Sequence, residues 1–214
     1  MHLALLLLAC ATASNPPAAN TAPAVDPHAP AALPPVGPGQ AAAVVAGGCF
    51  WCMESDFDKL PGVVATTSGY AGGTLANPTY EDVNTETTGH KEAVRVVYDT
   101  TRLSYDQVLD YYWRHVDPTD DGGQFCDRGD SYRTGVYALD DAQLQAAQAS
   151  KAALVASGVL QAPVVTELKK IDVFWAAENY HQDFHDTTPA RYLPYRAGCG
   201  RDARVEKVWA GAKP

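Results

Sequence analysis

The stretch AGGCFWCMES, residues 46–55, holds two thiols three positions apart, Cys49 and Cys52, with Phe50 and Trp51 between them. Cysteine is the most readily oxidised nucleophile among the side chains, and four chemistries use such a pair. Haem attachment needs histidine straight after the second cysteine. Position 53 is Met53, which excludes it. Zinc could draw on Cys49, Cys52, Cys126 and Cys199, but a zinc signature is two closely spaced ligand pairs and only one exists here. A thioredoxin-like dithiol fits a CxxC at a strand-to-helix junction. A single nucleophile with a second thiol nearby explains more. Gly47 and Gly48 let the backbone turn sharply ahead of Cys49. A helix beginning at Cys49 would favour its thiolate through free N–H groups and the macrodipole. Phe50 and Trp51 then read as an aromatic wall suited to an apolar, methyl-bearing electrophile; burial in the core is the ordinary fate of such residues.

Two further groups invite a metal reading. His181 and His185 lie four apart in NYHQDFH, but no HExxH glutamate stands between them. The acidic run DPTDDGG lacks the EF-hand spacing and its terminal glutamate. We read the histidines as structural or surface residues, the acidic run as a solvated loop, and expect no metal and no cofactor.

The elements that must position these residues are legible in part. AAAVVAG is a short apolar run that predicts a buried strand. FWCMESDFDKL predicts a helix stopped at Pro61-Gly62, and VVATTSGYAGG a strand ending on glycines. HKEAVRVVYD alternates Val94, Val96 and Tyr98 against Lys91, Arg95 and Val97, which again predicts a strand. In SYDQVLDYYWRHV, apolar side chains recur at Tyr105, Val108, Leu109, Tyr112, Trp113 and Val116, and Ser104 with Gln107 makes a capping box. TGVYAL predicts a strand, and DDAQLQAAQASKAALVASG a long helix between Asp140 as N-cap and Gly158. VVTELKKI is a last strand. The expected class is α+β: a ferredoxin-like β-α-β-β-α-β sandwich with an irregular C-terminal extension that is loop-like from about Thr187 until RDARVEKVW. Residues 117–133 form a polar connection of a length typical of functional loops.

The chain of 214 residues has 16 basic and 25 acidic side chains, a net charge of -9. That balance, without a clustered basic face, argues against nucleic acid. Residues 1–39 contain one Asp, Glu, Lys or Arg, Asp26, and eight of the fifteen prolines. Such a stretch has too few large apolar side chains to bury a core. We divide the chain into an export signal or lipobox at 1–13, a Pro/Ala-rich linker at 14–39 and a catalytic domain at 40–214. MHLALLLLAC is too short to span a bilayer and resembles the core of an export signal. LLAC resembles a bacterial lipobox with Cys10 lipidated; ATA before Ser14 would suit ordinary cleavage instead. The expectation is a periplasmic or membrane-anchored lipoprotein, with a cytoplasmic protein as the alternative, touching membrane only through that anchor and acting as a monomer.

GGCFWCMES, GGTLANPTYEDVNTETTGHKEAVRVVYD and AAENYHQDF resemble the A-type peptide-methionine sulfoxide reductases, which reduce methionine-(S)-sulfoxide. The likeness covers essentially residues 43–210, and GCFW and GHKEAV are its most characteristic motifs. It implies the same β-α-β-β-α-β core and the following roles. Cys49 matches the nucleophile that attacks sulfur and becomes a sulfenic acid. Glu92 matches the acid that protonates the departing oxygen; flanked by Ala93 and Val94, it should be desolvated and kept protonated. Tyr80 and Tyr132 match tyrosines that donate to the sulfoxide oxygen, and Asp127 the acidic residue of the same loop. Phe50 and Trp51 match the pocket for the sulfoxide methyl. The resolving thiol is ranked Cys199 first, then Cys52, with Cys126 as a further alternative; many relatives have Gly at position 52. A thioredoxin or thioredoxin-like dithiol would restore the enzyme, which acts on methionine sulfoxide in proteins, peptides or free form. The competing readings are a general thiol-disulfide oxidoreductase using Cys49 and Cys52, and a non-catalytic thiol-bearing binding module.

Overall fold

A computed structural model describes residues 25–211. Cys10 and the expected export signal at 1–13 lie outside the described residues. In chain order the elements are β1 (Gln40–Ala46), α1 (Phe50–Phe57), β2 (Val63–Ala71), α2 (Tyr80–Val83), β3 (Lys91–Asp99), α3 (Tyr105–Trp113), β4 (Gly123–Gln124), β5 (Asp127–Arg128), β6 (Gly135–Ala138), α4 (Asp141–Ala156), β7 (Glu167–Lys170), β8 (Trp175–Ala176), α5 (Phe184–Thr187), α6 (Pro189–Cys199) and α7 (Arg201–Trp209). This is a mixed α/β chain around one central sheet, with strands in the order β7-β6-β1-β3-β2-β8. β6 and β7 run parallel; the other neighbours are antiparallel.

Period-two alternation sends side chains to two different cores. Ala43 and Val45 of β1 join Val94, Val96 and Tyr98 of β3 in a core shared with Phe50, Met53 and Phe57 of α1 and with α3. Val44 and Ala46 face the opposite side with Ala93, Tyr137 and Phe174. Glu92 has the parity of Val94 and Val96, so the sheet aims it at α1. β3 is central and β2 pairs along it with Tyr70 opposite Glu92. Both capping predictions hold: Ser104 and Gln107 close the start of α3, and Asp140 accepts from the Gln143 amide at α4. Tyr112 of α3 donates to the Ala46 carbonyl at 2.9 Å, tying the helix to the end of β1, just before the glycine pair.

Two expectations change. The C-terminal extension is not irregular; α6 and α7 follow each other around Gly200, whose φ is +70°. α6 contains Pro194 and Gly198 and buries only Tyr192, so it carries no apolar stripe to read. The 117–133 connection is also ordered, by the short β4–β5 hairpin and a 3-10 turn at Asp130–Tyr132. Its acids serve arginines: Asp117 binds Arg204 at 2.6 Å and Asp120 binds Arg128 at 2.6 Å. No helix among the described residues is long and apolar enough to cross a membrane.

Candidate active site

The glycine pair sets Cys49 by shape. A Cβ on Gly47 would stand 2.6 Å from both Met53 Sδ and Val116 Cγ1. Gly48 has φ +83°, and a Cβ there would stand 2.6 Å from Gln124 Cβ. The chain therefore turns tightly off β1, and Cys49 becomes the N-cap of α1, its carbonyl accepting from the Cys52 and Met53 amides.

The first free amide of α1 is used by Glu92. Phe50 N donates to Glu92 Oε2 at 2.9 Å. Glu92 is 3 % exposed, and burial raises its pKa to about 8, against the Phe50 hydrogen bond, which lowers it. A carboxylic acid that keeps its proton near neutrality thus lies beside the residue that follows Cys49.

Cys49 does not rest as the helix-stabilised thiolate expected from its position. Burial is the largest cause and raises its pKa well above the ordinary thiol value; the hydrogen bond to Cys52 raises it further. Cys52, also buried, is shifted down: it accepts from Cys49, and Arg201 and Arg196 lie on its other side. Arg196 Nη1 reaches the Cys52 carbonyl and binds Asp56 Oδ1 at 2.8 Å. Arg201 is 2 % exposed and donates to the carbonyls of Gly47 and His115. The two thiols are therefore pushed in opposite directions, Cys49 up by burial and Cys52 down by the bond from Cys49 and by the two arginines.

The aromatic wall is composite. Trp51 stacks on Phe184 of α5 at 3.7 Å between centroids and donates from Nε1 to His181 Nδ1 at 3.1 Å. Phe50 is buried against Tyr70, Tyr80 and His181. His181 is neutral, its pKa lowered by burial to about 4. It closes a 3-10 turn, Asn179–His181, while His185 lies in α5 against Asp58, so the two histidines share no helix face. Glu178 is 7 % exposed and accepts from Tyr70 Oη and from the Tyr80 amide, each at 2.9 Å. Tyr80 and Tyr132, both half-buried, place their hydroxyls together, and both are raised in pKa by burial first and by the Glu92 charge next.

Asp127, Cys126 and Cys199 form a second cluster. Cys126 and Cys199 are joined in a disulfide, so Cys199 does not stand free beside Cys49; among the described residues Cys49 and Cys52 are the free thiols. Asp127 Oδ1 and Oδ2 lie 3.6 and 3.7 Å from the two disulfide sulfurs. Tyr195 of α6 bridges the clusters: its hydroxyl donates to Asp127 Oδ2 at 2.6 Å and is in hydrogen-bond reach of Cys49. Among the described residues the cysteines thus form an inner pair, Cys49 and Cys52, and an outer pair, Cys126 and Cys199.

Sequence reading brought Cys49, Phe50, Trp51, Glu92, Tyr80, Tyr132 and Asp127 into one region, and the structure puts them there. It missed Tyr195, Phe184, Glu178 and the accepting role of His181. Three of these lie in or beside AAENYHQDF, a motif whose individual side chains have no local pattern of their own.

A thiol pair, a protonated carboxyl and an aromatic pocket define a cysteine-based oxidoreductase with its own acid. The family model described as peptide methionine sulfoxide reductase matches residues 41–213. Peptide methionine sulfoxide reductase MsrA of Bacillus pumilus is 48% identical over 171 residues, 80% of this chain and 96% of that protein. MsrA 2 of Caulobacter vibrioides is 52% identical over 169 residues, 79% of this chain and 85% of that protein. Methionine sulfoxide reductase A of Corynebacterium diphtheriae superposes with a TM-score of 0.67 at 32% identity, covering 81% of this chain and 86% of that one. The chain belongs to the peptide methionine sulfoxide reductase family, in its A-type branch. It is a peptide-methionine (S)-S-oxide reductase.

Proposed function

We propose that the reaction runs through Cys49 with Glu92 as its acid, and that two successive thiol pairs carry the electrons. The Phe50 N to Glu92 Oε2 bond carries this reading, because it fixes the acid next to the nucleophile. The sulfoxide methyl lies against Phe50 and Trp51. Its oxygen receives hydrogen bonds from Tyr80 and Tyr132 and a proton from Glu92. Cys49 sulfur attacks the sulfoxide sulfur; its own proton and that of Glu92 end on the oxygen, which leaves as water as the S–O bond breaks and leaves a Cys49–methionine sulfonium. That water then attacks Cys49 sulfur, the thioether departs with the electron pair of the S–S bond, one proton returns to Glu92, and Cys49 is left as a sulfenic acid. Asp127 orients the Tyr195 hydroxyl at the edge of the site.

Cys52 then attacks the Cys49 sulfenic sulfur, water departs and an inner disulfide forms. Cys52 takes first place over Cys199 because it already touches Cys49 and is held toward the thiolate by Arg201 and Arg196. Reduced Cys199 next attacks the inner disulfide, and Cys126 attacks the resulting mixed disulfide. Two thiols at the surface are thereby oxidised as the inner two are restored. An external dithiol of thioredoxin type reduces the outer pair. Exposed Cys126 supports this reading. So does a fold neighbour, Mxr1 of Saccharomyces cerevisiae, which is described in complex with Trx2 (22% identity, TM-score 0.50).

The same proposal takes β6-β1-β3-β2 with α1 and α3 as a ferredoxin-like core, extended by β7 and β8. It has the chain act as an exported monomer, anchored through a lipid on Cys10. Free, peptide and protein-bound methionine sulfoxide are all substrates. Consumption of one epimer only of a sulfoxide peptide, with dithiothreitol as donor, tests the reaction; equal consumption of both epimers overturns it. Fractionation of Cys10→Ala against the parent tests the anchor: soluble behaviour of both sinks it.

A further inference from the structure

Residues 26–31, DPHAPA, precede the family-matched region at 41–213, yet they are bonded to the catalytic domain. They run antiparallel to residues 177–180, with Pro30 bridged to Glu178. Ala31 N donates to the Ala177 carbonyl at 2.9 Å, Asn179 N to the Ala29 carbonyl at 2.9 Å, and Tyr180 N to the Pro27 carbonyl at 3.1 Å. Asn179 Nδ2 donates twice more, to the carbonyls of Asp26 at 2.8 Å and Ala29 at 3.0 Å. The His28 ring packs on Tyr180 at 5.4 Å between centroids. Farther along, the Pro34 carbonyl accepts from Arg95 Nη1 at 2.9 Å. Ala29 and Ala31 are half-buried while Pro30 is exposed, the alternation of a strand laid on an edge.

The segment under this strap builds the site from its other side. Ala177 N donates to the Ser68 carbonyl at 2.9 Å. Glu178 holds the Tyr80 amide, and His181 holds the Trp51 indole. Without residues 26–31, the Asn179 and Tyr180 amides would turn to water, and Ala177–His181 would be a loop bonded along one edge. Such segments open locally at low cost.

We propose that residues 26–31 are a positioning strap of the catalytic unit. They lock Ala177–His181 against β2, and through Glu178 and His181 they fix Tyr80 and Trp51 for sulfoxide binding. The catalytic unit then begins by Asp26 and not after Gly39. The kinetic half of this inference rests on the sulfoxide-reductase mechanism above; the structural half does not.

The test uses the full chain and the double variant Ala31→Pro, Asn179→Ala, which removes one main-chain hydrogen bond and the two made by Asn179 Nδ2. Amide hydrogen exchange and steady-state kinetics on a methionine-(S)-sulfoxide peptide are measured together. The Asn179 and Tyr180 amides should be protected in the parent and exchange at least about tenfold faster in the variant, with Val96 unchanged. KM should rise about fivefold while kcat stays within about twofold, the signature of lost binding without lost chemistry. Freely exchanging Asn179 and Tyr180 amides in the parent would overturn the strap. Faster exchange with unchanged KM would overturn its positioning role. If the double variant does not fold, Asn179→Ala alone supplies the same comparison. A parent without sulfoxide turnover would defeat the proposed mechanism while the exchange result still decides the strap.

Discussion

Phe50 N donates to Glu92 Oε2 at 2.9 Å, joining the start of a helix to the middle strand of the sheet. The bond spends the first helix amide on the acid and not on Cys49. Burial holds Glu92 at a pKa of about 8, so its proton is present at neutrality. Activity that depends on this proton should fall as pH rises through about 8. Glu92→Gln keeps the acceptor for Phe50 N and a donor for the sulfoxide, and Glu92→Ala keeps neither. We expect kcat/KM to fall on the order of 100-fold for Gln and up to about 10⁴-fold for Ala, with the alkaline limb abolished in both. A limb of unchanged position in Glu92→Gln would remove Glu92 from the role.

The same burial has a consequence for stability. A carboxyl whose folded pKa is raised binds its proton more tightly in the native state. Its stabilising contribution is full below the unfolded value near 4.5 and is lost as pH climbs to about 8. Glu92→Gln should therefore gain Tm relative to the parent between pH 5 and about 8, most at the upper end. Melting curves across that range check it; a constant offset would mean that Glu92 does not titrate there.

How far the sequence carried this site can be followed residue by residue. Glu92 was legible only through the GHKEAV resemblance, since a glutamate on a strand is ordinarily exposed; the structure adds the reason it is buried, its parity with Val94, Val96 and Tyr98. Ser104 and Asp140 were legible because capping is local. Tyr195 was not, because it reaches Cys49 from a helix interrupted by Pro194, whose apolar period is too weak to read. The Trp51–His181 bond spans 130 residues and leaves no trace in either neighbourhood. The opposite shifts of the two thiols were also hidden: helix position suggested a lowered Cys49, but its burial raises it, while the bond from Cys49 and Arg201 and Arg196, which arrive from the C-terminal helices, lower Cys52.

Trp51 is held by a stack on Phe184 and by one hydrogen bond to His181. Trp51→Phe keeps the stack and loses the donor, leaving His181 Nδ1 buried and unpaired. That costs about 1 kcal/mol in the bound complex, a rise in KM of roughly fivefold, with kcat less affected. Trp51→Ala should lose both terms and raise KM further. An unchanged KM in Trp51→Phe would show that the indole N–H does not orient the pocket.

Gly48 cannot carry a side chain without moving Gln124. Its φ of +83° and the 2.6 Å approach to Gln124 Cβ act together. Gln124 is fully buried, and it accepts from Asp117 N and donates to the Asp117 carbonyl, so it has no room to yield. Gly48→Ala should cost about 1–3 kcal/mol and displace Cys49 as well. Tm and turnover are expected to fall together; a loss of Tm alone would mean the strain is absorbed before Cys49.

The two thiol pairs make separable claims about electrons. Cys49→Ser should abolish methionine formation outright. In Cys52→Ser the first methionine still forms, but the Cys49 sulfenic acid lasts long enough to be trapped by dimedone. In Cys126→Ser and Cys199→Ser the inner disulfide still forms, so one equivalent of methionine per chain should appear at the parent rate. Turnover driven by thioredoxin should then fall at least about tenfold, because the inner sulfurs are buried and the protein dithiol needs an exposed one. Dithiothreitol, being small, should restore much of the loss. Peptide mapping after one equivalent of sulfoxide, added to the fully reduced chain, gives the order: a Cys49–Cys52 link before any Cys126–Cys199 link supports the inner pair acting first. A Cys49–Cys199 link as the earliest product would return Cys199 to the place the sequence reading gave it.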